Sequence, residues 1–274
     1  MPTTTRRITA FLDGPDSPDI SNPIHSTAVA AEYGFKAALV GGVTVYGWTV
    51  PALIAFFGEA WLDRGWVDVA FRRPVYPGDE MTATVEDGGD ATATLAMTNG
   101  DGERCLAGTA GMGDAPWLRD LVLPMLRTAE PRPAELPWLT LENAPAGQDL
   151  RPMAVPLSVA QAVEYALEKQ ADAHPRWAGE RPRVHPGWLA ARMTPMIHHS
   201  YDYAPAIHTR SQVQHLAPAY AGQSFTVAGH FVEAFERKDN QYAVVDGLIL
   251  AADGTEVTRI RHTTIFRVAR RPGA

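Results

Sequence analysis

The sequence predicts an α+β chain of two similar halves, each pairing one buried helix with an antiparallel sheet. Three observations carry this. Residues 43–61 (VTVYGWTVPALIAFFGEAW) are apolar almost all round, as suits a helix with no solvent face. The segments after Gly65 have strand composition broken by turn residues. Landmarks of the first half also return in the second at one offset of 144: Pro74-Val75-Tyr76-Pro77-Gly78 matches Pro218-Ala219-Tyr220-Ala221-Gly222, and Pro51 matches Pro195. At the same offset Gly41 falls on His185 and Gly42 on Pro186.

In chain order, residues 6–12 read as a short amphipathic piece, followed by turn chemistry in residues 13–18 (DGPDSP). Pro23 restricts Asn22 to extended geometry. Residues 26–33 form a short helix capped by Ser26 or Thr27 and closed by Gly34. The long buried helix follows, with Gly47 and Pro51 predicted to bend it. Strand signals cover residues 66–86, interrupted at Pro74, Pro77 and Gly78, then 91–98 and 103–112, with Asn99-Gly100-Asp101-Gly102 as the hairpin. Residues 113–156 are a Pro-rich connector in which Trp117, Leu121, Leu126 and Trp138 need cover. Ser158 and Gln161 make a capping box on a helix over 158–169. Residues 187–199 mirror the first buried helix, and 225–232 and 242–268 supply strands with Asp253-Gly254 as a turn.

Composition narrows the function. With 274 residues, 46% hydrophobic, the chain can fill one large core or two small ones. Its net charge of -7 argues against nucleic acid or an anionic membrane as the main partner. The single cysteine, Cys105, excludes disulfides and Cys-rich zinc sites and fits a reducing cytoplasm. Residues 1–20 have no apolar core, so no signal peptide is expected, and every apolar run is too short or interrupted to span a bilayer. There is no Gly-x-Ser-x-Gly elbow and no Gly-rich phosphate loop. His198-His199, with His208 and His215, invites a metal reading. Adjacent histidines on a helix face different ways, however, and only Asp202 stands near, so no metal is expected.

Residues 19–43 carry the chemistry. A Pro-fixed loop presents His25, and the pair Gly41-Gly42 opens the buried helix. A ring nitrogen facing a helix N-terminus suits acid/base work on a polarised carbonyl, since the free amides and the dipole stabilise a developing oxyanion. Each residue also has a structural alternative. His25 could bond a loop carbonyl, Asp19 could cap a turn, and Gly41-Gly42 could serve tight packing. Arg72 and Arg73 could contact a phosphate or be merely solvated, and Tyr46, Trp48 and Trp61 could line a substrate or pack the core.

Asn22-Pro23-Ile24-His25, then Gly34-Phe35, the glycine-led helix, and Phe71-Arg72-Arg73-Pro74-Val75-Tyr76-Pro77-Gly78-Asp79 resemble the MaoC-like, (R)-specific enoyl-CoA hydratase family. The resemblance covers residues 5–112 well and 157–270 weakly. It implies a double hotdog, two sheets each wrapping a central helix, and a lyase that reversibly hydrates a 2-enoyl thioester or dehydrates a 3-hydroxyacyl thioester. By the same resemblance His25 moves the proton, Asn22 falls on the family's asparagine, and the Gly42 amide polarises the thioester carbonyl, with Gly41, Tyr46, Arg72 and Arg73 in the substrate-binding set. The family's aspartate register holds Ile20, and Asp19, one residue early, is the candidate for the catalytic carboxylate that activates the water and orients the imidazole. His-Gly at the family's helix start is Gly41-Gly42 here. In the second half Asp172 keeps the aspartate register, Trp177 replaces the histidine, and Pro186 cannot donate an N–H, leaving Gly187 as a candidate donor. That half then builds the acyl tunnel.

The expected division is 1–113 for the N-terminal hotdog, 114–156 for the linker and 157–274 for the degenerate C-terminal hotdog. The implied partner is an acyl-CoA or acyl carrier protein thioester in the cytoplasm. No cofactor is implied, and a homodimer is left open. Two alternatives stand: a specialised biosynthetic dehydratase or cyclase with an altered site, and a non-catalytic acyl-thioester-binding subunit.

Overall fold

Ten antiparallel strands form one continuous sheet in the computed structural model, which describes residues 3–270. They are β1 (Thr3–Thr9), β2 (Gly65–Phe71), β3 (Glu80–Gly89), β4 (Thr92–Thr98), β5 (Arg104–Met112), β6 (Gln148–Leu157), β7 (Ile207–His215), β8 (Gln223–Arg237), β9 (Asn240–Leu250) and β10 (Glu256–Arg267). From edge to middle the first half runs β1-β3-β4-β5-β2 and the second β6-β8-β9-β10-β7, so the two halves have the same order and join through β2 and β7. Strands such as β4 alternate buried and accessible side chains, the period of a sheet with one face on the core.

The helices pack on that core face: α1 (Thr27–Glu32), α2 (Gly42–Gly47), α3 (Val50–Phe57), α4 (Trp61–Arg64), α5 (Val159–Glu164), α6 (Pro186–Ala190) and α7 (Met193–His198). The buried helix of the first half is bent as its sequence predicts. It stops at Gly47 and resumes as α3 with Pro51 in the first turn, where the missing N–H costs nothing. The second half repeats the break between α6 and α7. The two central helices meet at their glycines: a Cβ on Gly187 would lie 3.3 Å from the Gly47 Cα, and one on Gly47 would lie 1.9 Å from the buried Gln170 Oε1. Trp48, Trp61 and Trp177 are completely buried beside them.

Several local expectations hold. The capping box of Ser158 and Gln161 is formed, Gly102 closes the β4–β5 hairpin at φ 78°, and Trp117 and Leu121 pack on Trp66. Others need correction. The start of α1 is capped by the Asp16 carboxylate, which accepts from the Thr27 amide and hydroxyl at 2.7 and 2.6 Å, while Ser26 makes no side-chain cap. Strand β6 begins at Gln148, inside the segment read as connector, because eight of its residues pair with β8 and Pro152 falls at a register shift between Leu150 and Met153. Strand β7 gave no sequence signal. Its buried half carries Ser211, Gln212, Gln214 and His215, polar residues that the join with β2 satisfies or encloses. Trp138 stays 56% exposed and Leu126 48%, so neither finds the cover expected of it. No helix among the described residues is long and apolar enough to cross a membrane. The ends of the two expected units, residues 1–2 and 271–274, lie outside the described residues.

Candidate active site

A cavity of about 570 Å³ opens beside the start of α2 and takes its walls from both halves of the chain. His25 reaches it from the loop ahead of α1. Pro23 fixes that loop, holding Asn22 extended at φ −126°, ψ 96° and starting a single turn that ends at His25. The His25 Nδ1 lies 2.6 Å from the Leu39 carbonyl oxygen. A carbonyl only accepts, so Nδ1 carries the ring proton and Nε2 keeps its lone pair. The half-buried ring then offers a base to the cavity.

Asn22 sets the other side of that ring. Its Nδ2 donates to the His25 Nε2 at 3.3 Å, a long bond that a water can share, and to the Ala206 carbonyl at 2.9 Å. Its Oδ1 accepts from the Ala206 amide at 3.0 Å. One side chain thus ties the His25 loop to the second half and uses both its donors and its oxygen.

Gly41 and Gly42 lie on the cavity wall next to the ring. A Cβ on Gly41 would stand 3.8 Å from the His25 Cε1, and one on Gly42 would stand 3.2 Å from the His208 ring and 3.3 Å from Phe71. The first amides of a helix have no acceptor within it, so the start of α2 presents N–H groups there. His208, from β7, was no sequence candidate for this site. Burial holds it neutral, pushing its pKa down to about 4. Its Nε2 lies 3.1 Å from the Arg210 carbonyl and 2.8 Å from the Ser211 hydroxyl. Only the tertiary join of β7 to β2 could reveal this placement, since His208 is 183 residues from His25 by number.

No family model and no curated protein matches the sequence. Solved structures do match over nearly the whole chain. A conserved hypothetical protein of Mycobacterium tuberculosis described as a double hotdog aligns with 86% of this chain and 84% of its own, at 16% identity and a TM-score of 0.60. A MaoC-like dehydratase aligns over 90% of each chain at 18% identity and a TM-score of 0.58. A putative MaoC domain protein dehydratase from Chloroflexus aurantiacus covers 89% of this chain and 86% of its own, at 14% and 0.58. The fold is a double hotdog.

Within this double hotdog the remaining candidates separate. Arg72 and Arg73 are exposed at the cavity rim, and Arg73 pairs with Glu103 at 3.2 Å. Tyr46 does not meet the cavity. It is 1% exposed, on the side of α2 turned to the core, and its hydroxyl has no partner. Asp19 does not meet the cavity either. The loop tip over residues 16–19 turns to solvent because Asp16 is held on α1, and Asp19 is exposed with its amide on the Ser17 hydroxyl at 3.3 Å, while Ile20 faces inward.

The corresponding place in the second half is filled. Trp177, 1% exposed, lies tilted against the His185 ring with the ring centroids 4.9 Å apart. The His185 Nδ1 accepts from the Gly187 amide at 3.0 Å, which removes Gly187 as a donor to any ligand. The His185 Nε2 then donates to Asp172 at 3.3 Å, and that bond holds the Asp172 carboxyl below its usual range despite burial. The other histidines are occupied in packing: His198 stacks on Tyr203 at 3.9 Å, His199 bonds the Glu130 carbonyl, and His215 meets the Trp61 edge.

Proposed function

We propose that the chain is a hydro-lyase acting on an acyl thioester of CoA or a carrier protein in the cytoplasm, interconverting 2-enoyl and 3-hydroxyacyl forms at one site per chain. The observation that carries the reading is that the His25 ring, its Nδ1 on the Leu39 carbonyl, lines one mostly apolar cavity together with Gly41 and Gly42 at the start of α2. His25 Nε2 takes a proton from water as its oxygen bonds the β-carbon, and returns that proton to the α-carbon. The Gly42 amide holds the enolate-like oxygen meanwhile, and one such donor contributes about 3 kcal/mol. Asn22 orients the ring, Gly41 leaves room beside it, and Arg72 and Arg73 at the rim meet the phosphates of the carrier. Residues 1–113 form the reacting unit, and residues 157–274, joined to it through 114–156, wall the acyl chain. Two structural neighbours described as dehydratases accord with this reading.

Its test is the loss of enoyl-thioester absorbance on a panel of trans-2-enoyl-CoA substrates of increasing length. Native protein is active on at least one, and His25→Ala loses about 10²-fold or more in kcat. A native protein that binds these thioesters without turning them over would leave the second reading, an acyl-binding subunit, which the solvent-facing Asp19 favours.

A further inference from the structure

The lyase reading leaves the site without the carboxylate that the family it resembles places two residues before the asparagine, because that register holds Ile20. The cavity nevertheless contains one carboxylate. Among the described residues that line it, Asp13 alone is acidic. Asp13 sits where the loop leaves β1, pinned by the pairing of Ala10 with Asp79 at 2.8 Å, whereas the tip carrying Asp16 and Asp19 turns away.

Asp13 is also aimed. The Thr44 hydroxyl, completely buried in the first turn of α2, donates to the Asp13 Oδ2 at 2.9 Å. Its other oxygen has no partner among the described residues. The same Thr44 Oγ1 lies 3.4 Å from where a Gly41 Cβ would stand, and the His25 Cε1 lies 3.8 Å from that point. The Gly41 position therefore lies between the imidazole and the Thr44 hydroxyl that anchors the Asp13 carboxylate, and both groups line the same cavity. The gap left by glycine is of the size that holds a water or a substrate hydroxyl.

We propose that Asp13 is the water-holding carboxylate of this site, supplied from a different loop position than Asp19 and oriented by Thr44. This rests on the lyase reading. During hydration the Asp13 carboxylate accepts a hydrogen bond from one O–H of the attacking water, and that hydrogen stays on the oxygen. The other proton passes to His25 Nε2 as the oxygen–β-carbon bond forms and the carbon–carbon π bond opens. The imidazolium then gives that proton to the α-carbon, and no other reagent is consumed. In the reverse direction the same carboxylate accepts from the 3-hydroxyl before it leaves.

The test compares Asp13→Asn, Asp19→Asn, Thr44→Val and His25→Ala on the enoyl-CoA panel, with pH profiles. Asn keeps an acceptor for Thr44, so Asp13→Asn preserves the thermal midpoint while kcat falls about 10²-fold and KM changes little. The acidic limb of its kcat profile, which a structural role would not touch, changes shape. Thr44→Val falls less, about tenfold, because the carboxylate is present but loosely held. Asp19→Asn matches native protein. If Asp13→Asn keeps native kcat while His25→Ala is dead, this assignment fails and the lyase reading stands. If Asp19→Asn is the variant that falls, the carboxylate is Asp19. If native protein is inert on the whole panel, the lyase reading fails and takes this assignment with it.

Discussion

Gln212 donates its side-chain amide to the Asp68 carboxylate at 2.9 Å, and the two residues face each other in the β2–β7 register, 144 positions apart. That separation is the repeat offset read from the sequence. A residue can face its own repeat equivalent only on a two-fold, so the pseudo-axis passes between Asp68 and Gln212. Asp68 also takes two bonds from Arg210, at 2.9 and 2.6 Å.

Asp68→Ala should therefore loosen the join of the halves. It leaves the Gln212 amide, 6% exposed, without its partner and frees a half-exposed arginine. Solvent screening discounts the ion pair, so the loss is about 1–2 kcal/mol, most of it from the stranded amide. Urea unfolding measures it, and an unchanged midpoint would show that this contact does not hold the halves together.

Two glycines separate structural from functional need. A Cβ on Gly108 would stand 1.9 Å from the Asp68 carbonyl oxygen, and backbone cannot swing aside. Gly108→Ala should destabilise by about 3 kcal/mol or more, at the upper end for overpacking. A Cβ on Gly41 meets only ordinary contacts, at 3.4 and 3.8 Å, but it enters the gap between Thr44 and His25. Gly41→Ala should fold normally and lose activity. Thermal midpoints and kcat, measured on both variants, give opposite patterns if this is right.

Burial also sets the acid limit. Desolvation lowers His208 to about 4 and His215 to about 3, and it lowers His262 well below its ordinary value. An unfolded histidine titrates near 6.5, so between that pH and about 3–4 the unfolded chain binds protons the folded chain refuses. Stability is full above about 6.5 and falls as the pH drops through this window. Both ring nitrogens of His262 are buried without partners. His262→Leu should thus raise stability by about 1 kcal/mol at neutral pH and shrink the acid loss. Urea midpoints at about pH 7 and pH 5 decide it; a native midpoint equal at both would contradict neutral burial of these rings.

Local rules made much of this fold legible in sequence. Pro23 set the Asn22 geometry, Gly47 and Pro51 set the bend, and Ser158 with Gln161 set a cap. His25, Gly41 and Gly42 were legible as a group because all three lie within one short stretch. What stayed hidden depends on contacts across the two-fold: β7 with its buried polar residues, His208 behind Gly42, and the Ala206 backbone bridged by Asn22. Asp13 and Asp19 could not be ranked by spacing, since the direction of their loop follows from the hold of Asp16 on Thr27.

The second half supplies its own control for the role of Gly42. Pro186 occupies the equivalent position at the start of α6, and the preceding residues adopt the same backbone: Gly41 at φ −58°, ψ 133° and His185 at φ −63°, ψ 134°. A proline is thus compatible with this helix start, and it removes one N–H and nothing else from the backbone. Gly42→Pro and Gly42→Ala both add a Cβ that must press His208 and Phe71 aside from 3.2–3.3 Å by a few tenths of an ångström. Gly42→Ala keeps the amide, so its loss reports crowding alone. Gly42→Pro should lose a further 10²–10³-fold, roughly, in kcat, the typical worth of one oxyanion donor. Equal kcat in the two variants would mean that the Gly42 amide does not stabilise the transition state.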